Sequence, residues 1–361
     1  MIQSAVKMRA KRTCVTLLYT CVALYSVQGA EKCDKRSPAV WYKQKDVHVG
    51  IGLSDSELRT IAQNNDNGHL QSVLDPILVT RIPGTEGHTG VRKHIVSSMK
   101  SLGWTVEEDS FQDSTPHGQK PFTNIIATLD PNAPRRIVLA CHYDSKFWNK
   151  KNEIFIGATD SAVPCAMMIN IAKTLHGSLK KHKLQQNDVT LQLLFLDGEE
   201  AFVQWSSTDS TYGARNLASK LHNTPYPQAN QEKTNELHRM DMFVLLDLIG
   251  TEDCQFYSLF KSTDKWYKRL VSFETRLNSL GVLNRLSRPL FKNSQLFNSG
   301  IEDDHIPFMN KGVDILHLIS VPFPSVWHKI SDNGDALHYP TIQNINIIMR
   351  AFVADYLHLA V

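Results

Sequence analysis

Several motifs that identify common enzyme classes are absent from this sequence. It contains no HExxH motif of helix-borne zinc proteases, no GxxxxGK[ST] phosphate-binding loop and no GxSxG nucleophile motif. It has no CxxC pair for a structural zinc site and no Asn-x-Ser/Thr glycosylation site with a permitted middle residue. These absences leave the helix-based zinc protease, P-loop and serine-hydrolase interpretations without support.

Cysteine is scarce, and neither sign of charge predominates once the first 30 residues are set aside. Two of the six cysteines, Cys14 and Cys21, lie in those first residues. The others are Cys33, Cys141, Cys165 and Cys254. Four cysteines are too few for a disulfide-based scaffold, although one bridge is compatible with an oxidising compartment and three complete pairings are open. The first 30 residues hold four of the 39 basic residues and none of the 36 acidic ones, so the remainder is nearly neutral and no nucleic-acid-binding face is expected.

The first 30 residues resemble a secretory signal peptide. A basic cluster precedes the apolar run 14–27, and the small residues that follow offer a cleavage site near Ala30. The run is shorter than the ~20 residues that a membrane span needs, so a cleaved signal peptide is favoured over the alternative, an uncleaved membrane anchor. Met8 offers a second start, and the longer, acid-free form would suit partial organelle targeting. We therefore expect a signal peptide at 1–30, one domain at 31–361, no membrane-spanning segment, and a secreted or secretory-lumen protein.

Alternating apolar strands and amphipathic helices predict an α/β fold. Five short runs rich in Ile, Val and Leu are bounded by Gly, Pro or Asp, as is typical of buried, largely parallel strands. They span 123–129, 137–142, 189–196, 242–249 and 313–319. Helical periodicity is present at 89–102, 161–178 and 341–358. The polar stretch 204–236 is predicted to be a long surface loop. We expect a doubly wound, mostly parallel sheet with helices on both faces.

Polar side chains occur at or near the ends of four of the five predicted strands. These strand ends carry His142-Tyr143-Asp144, Asp197-Gly198-Glu199-Glu200, Asp247 and His317, with Trp327-His328 shortly after the last strand. One polar residue at a strand end is expected in any α/β protein, but the carboxyl ends of parallel strands meet at one edge of the sheet, where sites form. Carboxylates so crowded repel one another unless a cation lies between them. Oxygen and imidazole ligands without thiolate are typical of a catalytic zinc with an open position.

At these residues the sequence resembles a known family, the animal glutaminyl-peptide cyclotransferases. The resemblance runs from about residue 40 to the C-terminus. It is carried by ACHYDSK (140–146), GATDSAVPCAMM (157–168), FLDGEEAFVQW (195–205), DSTYGAR (209–215), VLLDLIG (244–250), DDHIPF (303–308) and VPFPSVWH (321–328). It implies the fold of the zinc aminopeptidases, a phosphorylase/hydrolase-like three-layer α/β/α sandwich with a central, mostly parallel twisted sheet.

The resemblance implies catalytic roles for five residues, each of the type that the family has at that position. The ligands of a single zinc ion would be Asp160, Glu200 and His328. Glu199 would be the general acid/base, and Asp247 would help to hold the reacting groups. Residues 31–361 would then form one zinc-dependent catalytic domain.

The resemblance also implies the surroundings of the site. Asp303 and His317 would form a hydrogen-bonded pair beside it, and Cys141 and Cys165 would form a disulfide bond. The pocket walls would be Trp205, Phe323 and Trp327. The sequence departs from the family at the N-terminus and around 220–235, and these differences concern secretion route and peptide preference more than the chemistry.

The implied reaction closes an N-terminal glutamine on itself. The α-amine attacks the γ-carboxamide, ammonia leaves and a pyroglutamyl ring remains. Zinc would polarise the γ-carbonyl and Glu199 would move the protons. N-terminal glutamate would react slowly with loss of water. The expected partners are peptides and proteins with N-terminal Gln or Glu, and we expect a monomer with no nucleic-acid or membrane partner.

Two other functions are also compatible with these residues. A zinc aminopeptidase on the same fold is one, because His142 and Asp144 could add ligands for a second metal. A non-catalytic zinc-binding ectodomain is another, although none of the ligands and neither catalytic carboxylate is missing. Single residues also have simpler interpretations. Trp205 or Trp327 would be packing anchors, Asp303 a helix cap, His317 a core histidine, and the cysteines buried thiols.

Overall fold

The computed structural model describes residues 38–227, 233–297 and 299–361. The described residues fall into two units, with the boundary between Gln44 and Lys45. The described part of the first unit contains the 3-10 helix Pro38–Lys43. The predicted signal peptide and the second start lie outside the described residues. The second unit carries the sheet, its covering helices and the residues predicted to form the site.

A six-stranded mixed sheet, in the order β1-β2-β4-β3-β5-β8, forms the centre of the second unit. The strands are β1 Thr105–Thr115, β2 Gly118–Thr128, β3 Arg135–His142, β4 Val189–Leu196, β5 Met240–Asp247, β6 Phe256–Ser258, β7 Phe291–Gln295 and β8 Ile315–Ile319. Strands β4, β3, β5 and β8 are parallel, whereas β1 and β2 form an antiparallel hairpin and β2 is antiparallel to β4. Strands β6 and β7 form a separate parallel pair. The predicted mostly parallel sheet is confirmed.

The four parallel strands are buried on both faces, which is why they appear in the sequence as unbroken apolar runs. Successive residues of β3 belong to different cores, because side chains alternate across a strand. Leu139 packs into the larger core, and Val138 and Ala140 pack into the smaller one on the opposite face. Helices complete both cores, so the three-layer α/β/α architecture is confirmed.

The helices of the described ranges are α1 Gln44–Val47, α2 Asp55–Gln63, α3 Asn67–Leu74, α4 Glu86–Ser101, α5 Val163–Thr174, α6 His176–Leu184, α7 Tyr212–Asn223, α8 Asp264–Ser279, α9 His305–Met309 and α10 Tyr339–Tyr356. Short 3-10 segments occur at Asp75–Ile77, Glu236–Arg239 and Gly334–Ala336. The helical structure predicted at 161–178 is found, but it is divided between α5 and α6. Leu175, with φ −93° and ψ 5°, ends α5, and the chain then begins α6.

The segment before α5 is a distorted turn, Ala158–Ala162, in which Asp160 and Ser161 depart from helical backbone angles. Gly157 precedes it with φ +64°, and a Cβ there would lie 2.3 Å from the Asp160 carbonyl oxygen. Only glycine therefore fits this close approach. The turn directs Asp160 toward the carboxyl edge of the sheet rather than along a helix face.

The prediction of a long surface loop at 204–236 is wrong, because the stretch contains α7. Ala214, Leu217 and Ala218 face the smaller core at helical spacing, and the polar residues between them hid this pattern. The first turn of α7 is tied to the end of β4. The backbone N–H of Tyr212 donates to the Gly198 carbonyl at 2.7 Å, and neighbouring amides make similar bonds.

None of the described helices combines the length and the apolar character needed to cross a membrane.

Candidate active site

A cavity of about 600 Å³ opens at the carboxyl ends of the parallel strands. The sequence-predicted site residues that line it are Asp160, Glu199, Glu200, Trp205, Asp247, Asp303, Phe323, Trp327 and His328. His317, Cys141 and Cys165 are the predicted residues that do not line it. Lys146 and Glu302 also line the cavity, and the sequence alone predicted no role for either.

Three of these residues form a group that could hold a metal ion. Asp160, Glu200 and His328 each offer a ligand atom, and these atoms lie within 4.8 Å of one another. His328 Nε2 is 3.4 Å from Glu200 Oε2 and 3.6 Å from Asp160 Oδ2. Asp160 Oδ2 and Glu200 Oε1 are buried and accept no hydrogen bond from any residue that the structure describes. Buried carboxylate oxygens without a donor are costly unless a cation satisfies them, so this group fits a metal.

The charges of the group also favour a cation. Burial and the nearby Glu200 charge raise the pKa of Asp160 to about 7. A divalent ion would stabilise both carboxylates in their ionised form. Two carboxylate oxygens and one imidazole nitrogen are ligands that suit zinc and leave a coordination position for substrate.

Arg81 joins the loops around Asp160. Its side chain is fully buried and donates to the carbonyl oxygens of Tyr143 at 2.8 Å, Ile156 at 2.6 Å and Gly157 at 3.1 Å, with a longer bond to that of Asp160 at 3.4 Å. The guanidinium therefore fixes the backbone after β3 against the turn that carries Asp160. Sequence reasoning missed this role, because its partners are carbonyl groups that no residue pattern reveals.

Asp144 holds the loop after β4. Its two carboxylate oxygens accept the backbone N–H groups of Glu199 and Glu200 at 3.1 Å and 3.2 Å. Lys146 lies two residues further on, and its Nζ is 3.1 Å from Glu200 Oε2. The segment 140–146 thus positions the two adjacent glutamates.

The two predicted catalytic carboxyls have opposite electrostatic environments. Burial raises the pKa of Glu199 well above its usual range, and Asp303 and Glu200 add to the effect. Burial would also raise the pKa of Asp247, but hydrogen bonds from His142 and Ser161 reverse the effect and lower it. Glu199 therefore holds a proton more readily than an ordinary glutamate, whereas Asp247 stays ionised.

His142 lies between three carboxylates. Its Nε2 is 3.0 Å from Asp160 Oδ1 and 3.5 Å from Asp247 Oδ1, and its Nδ1 is 3.3 Å from Asp144 Oδ1. His142, Asp160 and Asp247 form a second group with metal-ligand spacing. This is the position at which the aminopeptidase alternative would require another ion.

Aromatic side chains line the mouth of the cavity. The rings of Phe323 and Trp327 meet edge to face with centroids 4.9 Å apart, and Trp327 stacks on His328 at 4.0 Å. Trp327 is 38% exposed, so it is not a core anchor. The Trp205 indole N–H donates to Glu302 Oε2 at 3.0 Å. No residue pattern indicates a role for Glu302, because its partner lies 97 residues away in the chain.

Asp303 and His317 are both buried, and His317 Nε2 lies 2.8 Å from Asp303 Oδ2. The N-cap of α9 is Asp304, not Asp303, so the simple helix-cap interpretation of Asp303 does not hold. His317 combines a position in β8 with a bond to a residue of the cavity wall.

A disulfide bond joins Cys141, in β3, to Cys165, in α5. It links the strand that carries His142 to the helix that follows Asp160. Cys254 is buried and forms no disulfide bond with another cysteine of the described ranges. The predicted disulfide is confirmed, and the buried-thiol alternative for this pair is excluded.

Several known proteins are similar to this chain in fold and in sequence. The profile of peptidase family M28 matches residues 124–353. The glutaminyl-peptide cyclotransferase of Boiga irregularis is 47% identical over 332 residues, which cover 89% of this chain and 90% of that protein. The glutaminyl-peptide cyclotransferase of Bos taurus is 44% identical over 95% of this chain and 96% of that protein. The crystal structure of Macrostomum lignano glutaminyl cyclase matches with a TM-score of 0.74 at 38% identity, covering 85% of this chain and 94% of that one. The chain therefore belongs to peptidase family M28 and, within it, to the glutaminyl-peptide cyclotransferases.

Proposed function

We propose that this chain converts the N-terminal glutamine of peptides and proteins to pyroglutamate with release of ammonia, and N-terminal glutamate more slowly with release of water. The observation that carries the proposal is the 44–47% identity to glutaminyl-peptide cyclotransferases over most of their length. The chemistry of the cavity agrees with it, since a metal-binding group, a protonatable glutamate and aromatic walls line one space.

We propose one zinc ion per chain, held by Asp160, Glu200 and His328. When bound, zinc supplies Lewis acidity toward the γ-carboxamide oxygen of the substrate, where negative charge develops during attack. The donor set supports zinc rather than a softer metal, because no thiolate lies in the group. Lys146 would hold Glu200 in its orientation and partly offset the local negative charge.

We propose that Glu199 moves the proton. The α-amine nitrogen of the glutamine bonds to its δ-carbon, and the bond from that carbon to the amide nitrogen breaks. One amine proton passes to the Glu199 carboxylate and then to the departing nitrogen, which leaves as ammonia. The raised pKa makes Glu199 a stronger base than an ordinary glutamate, which favours the first of these transfers. Asp247, ionised and anchored by Ser161, would orient the amine by accepting a hydrogen bond.

Selectivity for a first-position glutamine would follow from the shape of the cavity. Trp205, Phe323 and Trp327 would pack against the aliphatic part of the side chain. Both reacting groups belong to one residue, so holding that residue in a folded conformation aligns the amine with the carboxamide. These aromatic residues would therefore contribute to the rate as well as to binding.

We also propose that the protein enters the secretory pathway through a cleaved signal peptide at 1–30, and that residues 31–361 form a single catalytic domain that acts as a monomer. The basic and apolar patterning of the leader supports the first part. N-terminal sequencing of the protein secreted by transfected cells tests cleavage, and sedimentation tests the monomer. A mature protein that starts at Met1 or Met8 would refute cleavage.

The test of the reaction uses purified residues 31–361 and a Gln-initiated peptide, with and without a zinc chelator. The expected product has lost one ammonia and is otherwise intact, and the chelator abolishes its formation. Loss of the entire first residue would instead identify an aminopeptidase. Retention of zinc without turnover of any peptide would identify a non-catalytic protein.

A further inference from the structure

A second cavity adjoins the active-site cavity. Its volume is about 400 Å³, and its lining shares Trp205, Glu302 and Asp303 with the first. The hydrogen bond between Trp205 and Glu302 therefore forms part of the wall between the two spaces. Cyclisation of one glutamine residue does not use the second cavity.

The wall is a fixed part of the fold. Asp209 accepts the backbone N–H groups of Phe202, Val203 and Gln204 at 2.9 to 3.0 Å, and these residues lead directly into Trp205. The loop and the Glu302 bond hold the indole from two sides. The second cavity is therefore present beside the first without a rearrangement of the loop.

Two cations, Arg215 and Lys311, line the second cavity. Five hydroxyl residues line another part of it, beside the apolar side chains of Ile306 and Pro307: Ser206, Ser207, Ser210, Thr211 and Ser219. Arg215 donates from Nε to the Ser210 carbonyl at 3.1 Å, and its Nη2 lies 3.6 Å from Asp113. Lys311 is exposed and has no ion-pair partner within the described ranges.

Both acids that line the second cavity have hydrogen-bond partners, but the indole is an uncharged donor and leaves the negative charge of Glu302 in place. Glu302 accepts the indole N–H, and buried Asp303 pairs with His317. Among the described residues that line this cavity, Lys311 is the cation without an ion-pair partner. An acidic side chain bound beside Lys311 would find its ammonium group, and the Arg215 guanidinium and several hydroxyl donors also line this cavity.

A peptide whose first residue fills the active-site cavity must continue past its mouth. Extended chain advances about 3.3 Å per residue, so a few residues suffice to pass the Trp205 wall. We propose that the second cavity binds the residues that follow the N-terminal glutamine, and that Lys311, with Arg215, favours an acidic side chain there. This inference rests on the proposed function.

The test uses amidated Gln-initiated tetrapeptides with Glu, Ala or Lys at position 2, 3 or 4, together with glutamine amide, which has no following residue. The measured quantity is kcat/KM for ammonia release. At one of these positions we expect the order Glu, Ala, Lys, with steps of about threefold, the size expected for a partly exposed charge pair. The steps should shrink in about 0.5 M sodium chloride, because salt screens exposed charges.

Lys311→Glu should reverse this order. The kcat/KM relative to that of glutamine amide should then be higher for the Lys peptide than for the Glu peptide. Lys180→Glu is the matched control, an exposed lysine in α6, which ends at the opposite edge of the sheet, and the wild-type order should remain. Turnover of glutamine amide and of every tetrapeptide without charge preference would overturn this inference and leave the proposed function intact. Turnover of none of the substrates would overturn both. The wild-type order in Lys311→Glu would also overturn it.

Discussion

Glu199→Gln isolates the proton transfer in the proposed reaction. The substitution keeps the size of the side chain and its burial, and glutamine resembles the protonated form that burial favours at this position. What the variant loses is the ability to accept a proton from the attacking amine. Glu199 is not among Asp160, Glu200 and His328, the residues grouped to hold a metal, so zinc should stay bound.

The expected loss can be estimated from the role. A positioned general acid/base contributes about 10²- to 10⁴-fold to a rate. At about 1.4 kcal/mol per tenfold change, this corresponds to about 2.7–5.5 kcal/mol of activation free energy. The KM should change little, because the proton is transferred only during the reaction. The unfolding temperature should not fall, since the variant removes a buried ionisable group without leaving a cavity.

The assay combines ammonia release from a Gln-initiated peptide, zinc content and thermal unfolding. Glu274→Gln is a matched control. Glu274 is also a buried glutamate whose pKa is raised by burial, but it accepts backbone N–H groups from Leu290 and Phe291 and does not line the cavity. That variant can lose stability but should keep kcat. A near-normal kcat in Glu199→Gln would refute the proton-transfer role, and loss of zinc would mean that the two glutamates are wrongly assigned.

Two further variants test other parts of the site, and a third tests His305, a buried histidine whose ring lies 4.6 Å from that of His317. His328→Ala should contain no zinc by metal analysis and should no longer be stabilised by added zinc. In the wild type, zinc at about 100 times Kd should add about 2.7 kcal/mol to the free energy of unfolding. A variant that still binds zinc would show that His328 is not a ligand. Trp205→Ala should raise KM for Gln-initiated peptides, because an aromatic wall is lost, and unchanged kinetics would return Trp205 to a packing role. Burial lowers the pKa of His305 to about 2, from 6.5, so the folded protein keeps it neutral while the unfolded chain takes up a proton below pH 6.5. Wild-type stability should therefore fall by about 1.4 kcal/mol per pH unit more than that of His305→Gln as pH drops below 6.5; equal slopes in urea unfolding would contradict this.

The parts of the fold that the sequence predicted are those in which burial leaves a simple pattern. Strands β3, β4, β5 and β8 are buried on both faces and appear as apolar runs. Strand β1 is an edge strand, and its exposed residues are mostly polar, so no apolar run marks it. Helix α7 was missed for a related reason. Its apolar face is narrow, and the prolines that follow it made the entire stretch resemble a loop.

The site was predictable as a set of residues because most of its members lie in a few long motifs. Its supporting contacts were not. Arg81 binds carbonyl oxygens, Asp144 binds backbone N–H groups, and Glu302 binds a tryptophan about a hundred residues away in the chain. Such contacts depend on backbone positions that only the folded chain defines. The same holds for Cys141 and Cys165, whose spacing in sequence left three pairings open, whereas their Cα atoms lie 5.9 Å apart in the fold.

The number of metal ions can be argued from the contacts of His142 and Asp144, the two residues that raised the aminopeptidase alternative. Both oxygens of Asp144 accept backbone N–H groups of the loop that carries Glu199 and Glu200, so drawing that carboxylate onto a second ion would disturb the first site. His142 Nε2 lies 3.0 Å from Asp160 Oδ1. If Asp160 were to bind two ions, this oxygen would have to bind the second one, and its hydrogen bond with His142 would be lost. We therefore expect one zinc per chain even after dialysis against excess zinc, as measured by elemental analysis of the purified protein. Two ions per chain would mean that this hydrogen bond yields to metal, and would make peptide-bond hydrolysis the next activity to measure.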